Sequence, residues 1–306
     1  TGLFSLGQAG FMLIGAYTYG ILTIPVAQRA AVYQYYDGGL IQFAMPVIPA
    51  LILAGIVAAI FAFLIGLPVL RLKSDYLAIA TLGFAEIIRS IFQWDKLGAV
   101  TNGSNMLRLF PTFNDFNIKN AEGEVTLYLS TLVPFLIAGV CIALIVALIH
   151  SSYGRAFMAI RDDEVAAEAM GINLARHKQL AFCVSSFFAG VGGALLGNLL
   201  TTIDPKMFTF LLTFNVLMIV VAGGLGSLTG SILGSAVITV LLEWLRAVED
   251  PITLGGFAIP GIPGMRMVVF SLVLLCIILY RREGIMGMRE ITWDAIFDFF
   301  SRRKRA

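Results

Sequence analysis

Apolar residues dominate the chain in long runs, and polar residues gather in short stretches between them. A helix needs about 20 apolar residues to cross the hydrocarbon core of a membrane. Runs of this kind occupy 3–22, 46–70, 76–94, 127–149, 180–203 and 264–280. A seventh run, 207–244, is too long for one span and is interrupted by glycines between Gly223 and Gly234, so we predict two short helices or one broken helix there. The pattern predicts an all-α polytopic membrane protein with about eight transmembrane helices, including broken glycine-rich segments.

The composition supports a membrane environment. Of the 306 residues, 58% are hydrophobic and 13% are charged, whereas a soluble domain carries about 25% charged residues. Lipid therefore has to cover much of the surface. A formal net charge of +2 argues against nucleic acid as a partner, because domains that bind phosphate backbones are far more basic.

Positive charges divide unequally between the loops on the two sides of the predicted spans. If 151–178 is cytoplasmic, alternating spans put 71–75, 223–227 and 281–306 on the same side, and these loops hold thirteen Lys and Arg residues. The opposite loops hold six, at positions 29, 96, 108, 119, 206 and 246. Cytoplasmic loops carry the excess of Lys and Arg, so this orientation is favoured. It predicts a single transmembrane domain over 1–280, with a cytoplasmic loop at 151–178, an external loop at 95–126 and a basic cytoplasmic tail at 281–306.

The cytoplasmic loop is the most informative polar stretch. Good helix formers fill 155–170, with Gly154 before them and Gly171 after them, which predicts one helix. An apolar face of that helix would carry Phe157, Ile160, Val165, Ala169 and Met170. Such a helix fits the groove of a partner protein or lies flat on the lipid headgroups, and the acidic residues in its middle weigh slightly against the second alternative.

Four ordered motifs resemble the permease subunits of ABC importers. The cytoplasmic loop has the Glu-Ala-Ala…Gly arrangement of their coupling loop, at Glu164, Ala166, Ala167, Glu168 and Gly171. The stretches 2–17, 67–86 and 221–231 resemble the branched-chain amino-acid permeases, most closely their LivM-type members, and the likeness covers nearly the whole chain. Members of that family have further hydrophobic sequence before the first motif, so we expect residues to precede Thr1. The family also tends to have a glycine where this chain has Met106.

The resemblance implies a subunit of an importer in a bacterial inner membrane. Its expected partners are a second homologous permease, two cytoplasmic ATP-binding subunits, a periplasmic amino-acid-binding protein and membrane lipid. The cargo it implies is leucine, isoleucine or valine, moved inward by ATP-driven alternating access. The residues expected to dock the ATPase are Arg155, Ile160, Arg161, Asp163, Glu164, Ala167, Glu168 and Gly171.

The residues themselves place ATP chemistry elsewhere. A P-loop needs Gly-Lys followed by Ser or Thr, and none of the six lysines follows a glycine. ATP and Mg²⁺ would therefore bind to partner ATPases, and this chain is expected to hold no cofactor. The sequence contains no HExxH motif, nucleophile elbow or metal-ligand cluster, so we expect a transport subunit rather than an enzyme.

Glycine clusters in the apolar runs have two interpretations. Irregular backbone inside a membrane lines a cavity or path, whereas small residues also allow close helix packing. Packing is favoured for 190–193, and the two interpretations stay open for 223–230. The candidates for the substrate path are Gly10, Gly15, Asn215, Gly223, Gly224, Gly226 and Ser227.

Four polar residues in the spans are expected to be structural. Glu86 and Arg89 lie three apart, so an ion pair on one helix face is favoured over a functional role. Asn198 is expected to tie helices together, although it can also hydrogen-bond a zwitterion, and the same holds for Asn215. Alternatives to the ABC permease for branched-chain amino acids are a permease for urea or short amides, an ion-coupled secondary transporter that needs no ATPase, and a channel or scaffold subunit.

Overall fold

The computed structural model describes most of the chain up to residue 246. It covers 1–246 apart from 37, 73, 120–124, 128 and 225, and then 252–254, 257–259 and 268–272 with the single residues 264, 275, 279, 284, 286 and 287. The predicted span at 264–280 and the tail at 281–306 lie largely outside these residues. The chain forms two compact units, 1–213 and 214–306.

Helices account for nearly all of the regular structure in the described residues. They are α1 Gln8–Thr23, α2 Val26–Val32, α3 Val47–Val69, α4 Ser74–Phe92, α5 Gly98–Thr101, α6 Leu129–His150, α7 Ser152–Asp162, α8 Glu164–Ala169, α9 Leu174–Leu200, α10 Phe210–Gly223 and α11 Leu228–Arg246. Short 3₁₀ turns lie at Asp95–Leu97, Phe113–Phe116 and Pro205–Met207. Two small antiparallel pairs complete the list, β1 Ile118–Lys119 with β2 Val125–Leu127, and β3 Ile252–Leu254 with β4 Phe257–Ile259.

Four described helices, α3, α6, α9 and α11, are long and apolar enough to cross a membrane. A fifth span results if the pair Tyr76–Phe92 and Asp95–Thr101, bent by 62°, counts as one. The expectation of about eight spans is therefore not confirmed by the described residues. The break predicted in 207–244 is present, because α10 ends at Gly223 and α11 begins at Leu228. At 14 residues, α10 is about 21 Å long and too short to cross alone.

The core of the first unit is built from α1, α3 and α9. Most of α1 is buried, including Leu13, Ile14 and Tyr17. The helices approach closely where glycines face each other's backbones: a Cβ on Gly15 would overlap the carbonyl of Gly190, and one on Gly193 would overlap the carbonyl of Met12. The packing expected for 190–193 is thus what these residues do.

Two helix starts differ from the hydropathy pattern. The first run begins at residue 3, but α1 begins at Gln8, after a non-helical segment. The fifth run begins at residue 180, but α9 begins at Leu174, because the side chain of Asn173 accepts a 3.0 Å hydrogen bond from the Arg176 amide and caps the helix. The Asn173 cap sets the start of α9, and a tertiary hydrogen bond from the Leu6 amide to Thr81 helps to set the start of α1.

Candidate functional site

The loop at 151–178 folds as a compact attachment on the first unit. Ser151 caps α7 by accepting a 3.3 Å hydrogen bond from the Gly154 amide at its hydroxyl. Gly154 allows a tight turn out of α6, since a Cβ there would overlap the Ile149 carbonyl oxygen. The chain therefore reverses directly from the apolar α6 into the charged α7.

The prediction of one helix over 155–170 is wrong, because the chain breaks at Asp163. Its backbone is extended, with φ −156°, and its carboxylate accepts hydrogen bonds from the amides of Val165 (2.8 Å) and Ala166 (3.0 Å). Asp163 is therefore the N-cap of a second helix, α8. The predicted continuous apolar face is wrong for the same reason: Ile160 is buried, whereas Val165 and Met170 are exposed.

Several contacts hold α7 and α8 against the start of α9. Glu164 pairs with Lys178 at 2.6 Å, and Ile160 and Ala167 are buried. The ring of Phe157 meets His177 edge-on, with 6.3 Å between centroids. The candidate docking residues thus split into a set that fastens the loop and a set that faces outward.

Two exposed apolar residues that were not among the docking candidates, Val165 and Met170, lie in the same segment as the outward set. Val165 is 79% exposed and Met170 is 84% exposed, while Glu168 and Arg155 lie exposed nearby in the sequence. Arg161 is also exposed and pairs with its neighbour Asp162 at 2.9 Å. After α8, Gly171 takes φ +85° with open space around it. Exposed apolar side chains rimmed by charge are typical of a surface that binds another protein.

The path candidates of the first unit lie in packed contacts. A Cβ on Gly10 would come within 2.9 Å of Ala85 Cα on α4, and Gly15 faces Gly190 on α9. Both residues allow α1 to approach its neighbours. A role toward substrate stays a prediction for them.

In the second unit, glycines shape the break between α10 and α11. A Cβ on Gly223 would overlap the Gly230 carbonyl, so the two helices meet there closely. Gly224 and Gly226 adopt φ +128° and +97°, which favours glycine. The Ser227 hydroxyl accepts a 3.0 Å hydrogen bond from the Gly230 amide. Asn215 is exposed on the otherwise apolar α10.

Sequence reasoning missed where α1 begins. The Leu6 amide donates to the Thr81 hydroxyl at 3.1 Å, and Gly7 packs against the Thr81 carbonyl. Thr81 is seven residues into α4, or about 10 Å along its axis, so α1 starts beside the interior of α4 and not beside its end. A signal was present: Gly-Leu-X-Ser-Leu occurs at 2–6 and again at 224–228, before α1 and α11.

Three of the four polar residues expected to be structural, Glu86, Arg89 and Asn198, make the contacts that this role requires, whereas the role of Asn215 stays a prediction. Glu86 accepts from Arg89 Nε at 2.7 Å. Asn198 is buried and ties three segments, since its amide donates to Tyr19 Oη at 2.7 Å and its oxygen accepts from the Phe113 amide at 2.9 Å. Among the described residues, no group of three His, Cys, Asp or Glu side chains could hold a metal ion.

Comparison with known proteins gives the family. Residues 1–278 match the family described as "Branched-chain amino acid transport system / permease component". The chain is 34% identical over 281 residues to the high-affinity branched-chain amino acid transport system permease protein LivM of Salmonella typhimurium and to that of Escherichia coli, covering 85% of this chain and 61% of each relative. It is 26% identical over 259 residues to a probable LivM permease of Methanocaldococcus jannaschii, covering 79% of this chain and 69% of that protein.

No solved structure matches the chain. The chain spans about three fifths of the length of the Salmonella and Escherichia relatives. The family match covers nine tenths of the chain and includes the four motifs noted in the sequence. This chain belongs to the family of branched-chain amino acid transport permease components.

Proposed function

We propose that this chain is the membrane-spanning subunit of an ABC importer, with the outward surface of α8 as its ATPase-docking surface. The observation that carries the proposal is the exposure of Val165 (79%) and Met170 (84%) in a charged part of the loop that an ion pair fastens to α9. Exposed apolar side chains of this size cost free energy in water, so a partner that covers them is stabilising.

The fastening provides a route for force from the docking surface to the membrane. Glu164 and Lys178 join the start of α8 to α9, and α9 packs on α1 and α3 through glycine contacts. A push on α8 would therefore move α9 and, with it, α1. For ATP to drive transport, the ATPases must favour the inward-facing or the outward-facing state differentially.

The cargo we propose is a branched-chain amino acid, leucine, isoleucine or valine. The names of the relatives support this class, and the apolar character of the described spans is compatible with it. We propose that the path passes the start of α1, because non-helical backbone at membrane depth is tolerated where it lines a cavity or is covered by protein. A periplasmic binding protein would select among the amino acids.

The remaining partners follow from the same proposal. Two cytoplasmic ATPases would bind ATP and Mg²⁺, and a second homologous permease would complete the membrane part. The assembly would reside in a bacterial inner membrane, with α7 and α8 on the cytoplasmic side in accordance with the excess of positive charge there.

The test is co-purification of the subunit from its native membrane in mild detergent, followed by mass spectrometry. The parent chain should bring down a P-loop ATPase. The double variant Val165→Asp, Met170→Asp should lose most of it, because two new charges would be buried in the interface. Recovery of the ATPase should fall at least tenfold relative to the permease, since burying each unpaired charge costs more than about 1.4 kcal/mol.

A matched control changes exposed residues of the outer side. Leu109 is also apolar and exposed in the parent. The variant Leu109→Asp should leave ATPase recovery unchanged. Equal recovery with the α8 variant and the parent would place the docking surface elsewhere. A chain that carries no ATPase, yet transports leucine when reconstituted alone, would favour the ion-coupled alternative.

A further inference from the structure

A groove runs between the end of α3 and the start of α9. Its volume is about 540 Å³. Apolar side chains, among them Phe63, Leu67 and Leu180, form its walls, and two arginines, Arg71 and Arg176, lie at its rim. Neither arginine belongs to the docking surface on α8, and the groove plays no part in the proposed transport mechanism.

Both helices that form the groove, α3 and α9, are long and apolar enough to cross a membrane, so the groove at their adjoining ends would extend from the membrane surface into the hydrocarbon. Arg71 lies two residues beyond the last residue of α3, and Arg176 lies in the first turn of α9. Leu70 and Phe63 are seven residue steps apart, so the wall extends about 10 Å along the helix axis. The charged rim therefore lies at headgroup level on the side with the positive-charge excess, and the apolar walls lie at the depth of acyl chains.

The floor of the groove forms where α3 and α9 approach each other closely. The Gln179 side chain donates a 2.9 Å hydrogen bond to the Phe63 carbonyl, and a Cβ on Gly66 would come within 2.7 Å of Gln179 Nε2. Gly66 therefore lets α9 lie directly against α3 at this point. The groove has a fixed back wall rather than an opening through the unit.

The charge of the rim is uncompensated in the described part of the chain. The lining residues include no Asp or Glu, and the ion pairs described do not involve Arg71 or Arg176. Both arginines are exposed. Two guanidinium groups above an apolar cleft are complementary to a ligand with an anionic head and a hydrocarbon body.

We propose that this groove binds one anionic phospholipid of the cytoplasmic leaflet. Its phosphate accepts hydrogen bonds from Arg71 and Arg176, and an acyl chain lies against Phe63, Leu67 and Leu180. An acidic segment of a partner protein fits the rim equally well but leaves the apolar walls uncovered at hydrocarbon depth. Basic pockets between transmembrane helices on the cytoplasmic side bind anionic lipid headgroups in this way.

The experiment is native mass spectrometry of the purified chain in detergent, with dioleoyl phosphatidylglycerol or dioleoyl phosphatidylcholine added at equal concentration. The parent should retain one phosphatidylglycerol more strongly than phosphatidylcholine. Each arginine near the membrane surface contributes enough attraction for roughly a fivefold change in affinity. Arg71→Gln and Arg176→Gln should each weaken retention of phosphatidylglycerol about fivefold, and the double variant should abolish the preference.

Two further variants separate the groove from general charge. Arg155→Gln removes an exposed positive charge from α7, outside the groove, and should leave the lipid preference intact. Leu67→Trp fills the apolar wall without changing charge, and should weaken retention of the dioleoyl lipid but not of short-chain dihexanoyl phosphatidylglycerol. Equal retention of both headgroups by the parent, or equal effects of Arg155→Gln and Arg176→Gln, would overturn the proposal. Lipid retention at the parent's level by Arg71→Gln and Arg176→Gln, together with loss of the ATPase when the same variants are co-purified from native membranes, would also overturn it and would assign the rim to the partner protein.

Discussion

At the scale of single residues, Arg29 has the most demanding environment in the described chain. It is 1% exposed, and its guanidinium donates to the carbonyls of Ile21 (2.8 Å), Phe43 (2.8 Å) and Ile41. Ile21 lies in the last turn of α1, where the helix dipole favours a cation. One side chain thus joins the C-terminal end of α1 to two carbonyls of the segment that follows α2.

We expect Arg29→Met to destabilise the protein. The substitution keeps an apolar stem of similar length but leaves the buried Ile21 carbonyl and the part-buried carbonyls of Ile41 and Phe43 without this donor. An unsatisfied buried acceptor costs about 1–3 kcal/mol, and a part-buried one costs less. The melting temperature of the purified chain in detergent, followed by intrinsic fluorescence, should fall by several degrees. Arg108→Met serves as the matched control, because Arg108 is exposed and, within the described part of the chain, its guanidinium hydrogen-bonds the sulfur of Met106 alone, at 3.7 Å. Equal melting temperatures for the two variants would contradict the role assigned to Arg29.

Residues differ in how far the sequence alone predicts their partners. The Glu86–Arg89 pair was predictable because both partners lie on one helix at a spacing that brings them together. Arg29 was assigned only to an external loop, because its acceptors are backbone carbonyls brought close by the fold. Asp163 is intermediate in predictability. An Asp can be recognised in a sequence as a helix-capping residue, but the good helix formers on both sides of Asp163 favoured one continuous helix.

At the scale of elements, glycine faces decide which helices lie together. On α9, Gly193 lies against the Met12 backbone of α1, whereas a Cβ on the adjacent Gly192 would meet nothing within 4 Å. The two residues have the same chemistry and nearly the same depth, but they point in different directions. They form a matched pair in which only one is required for packing.

Gly193→Ala should destabilise the contact between α1 and α9. The added methyl group overlaps the Met12 carbonyl, so the helices must separate, and overpacking of this kind costs about 1–3 kcal/mol. Gly192→Ala should be neutral or stabilise slightly, because alanine has the higher helix propensity. Melting temperatures of the two variants in the same detergent provide the measurement. A Gly192→Ala protein as unstable as Gly193→Ala would mean that general glycine loss, and not this contact, is responsible.

Apolar length predicted the described spans well, and helix ends less well. The runs at 46–70 and 127–149 correspond to α3 and α6 within a few residues, because a long apolar run in lipid forms a helix. The start of α1 and the small α2 were missed. Hydropathy is high through 3–7, and only tertiary hydrogen bonds such as Leu6 to Thr81 hold that segment out of the helix.

At the scale of the whole molecule, orientation links the docking surface, the lipid groove and the external loop. All three assignments depend on 151–178 being cytoplasmic, and within the described residues α6 is the helix that connects 95–126 to that loop. No described residue of α6 is buried within the unit, so this helix relies on lipid or a partner subunit to cover it. If α6 crosses the membrane, the loops at 95–126 and 151–178 must lie on opposite sides of it.

Cysteine labelling measures this crossing directly. In a background in which Cys141, Cys183 and Cys276 are replaced by alanine, we expect Ser104→Cys to react with a membrane-impermeant maleimide in intact cells. Asp162→Cys should react only after permeabilisation, because α6 puts it on the opposite side. The reverse labelling pattern would mean that the subunit has the opposite orientation in the membrane. In that orientation α8 could not contact a cytoplasmic ATPase, and Arg71 and Arg176 would not face the anionic cytoplasmic leaflet. Equal labelling of both positions in intact cells would mean that α6 does not span, although its 22 residues give it about 33 Å of length.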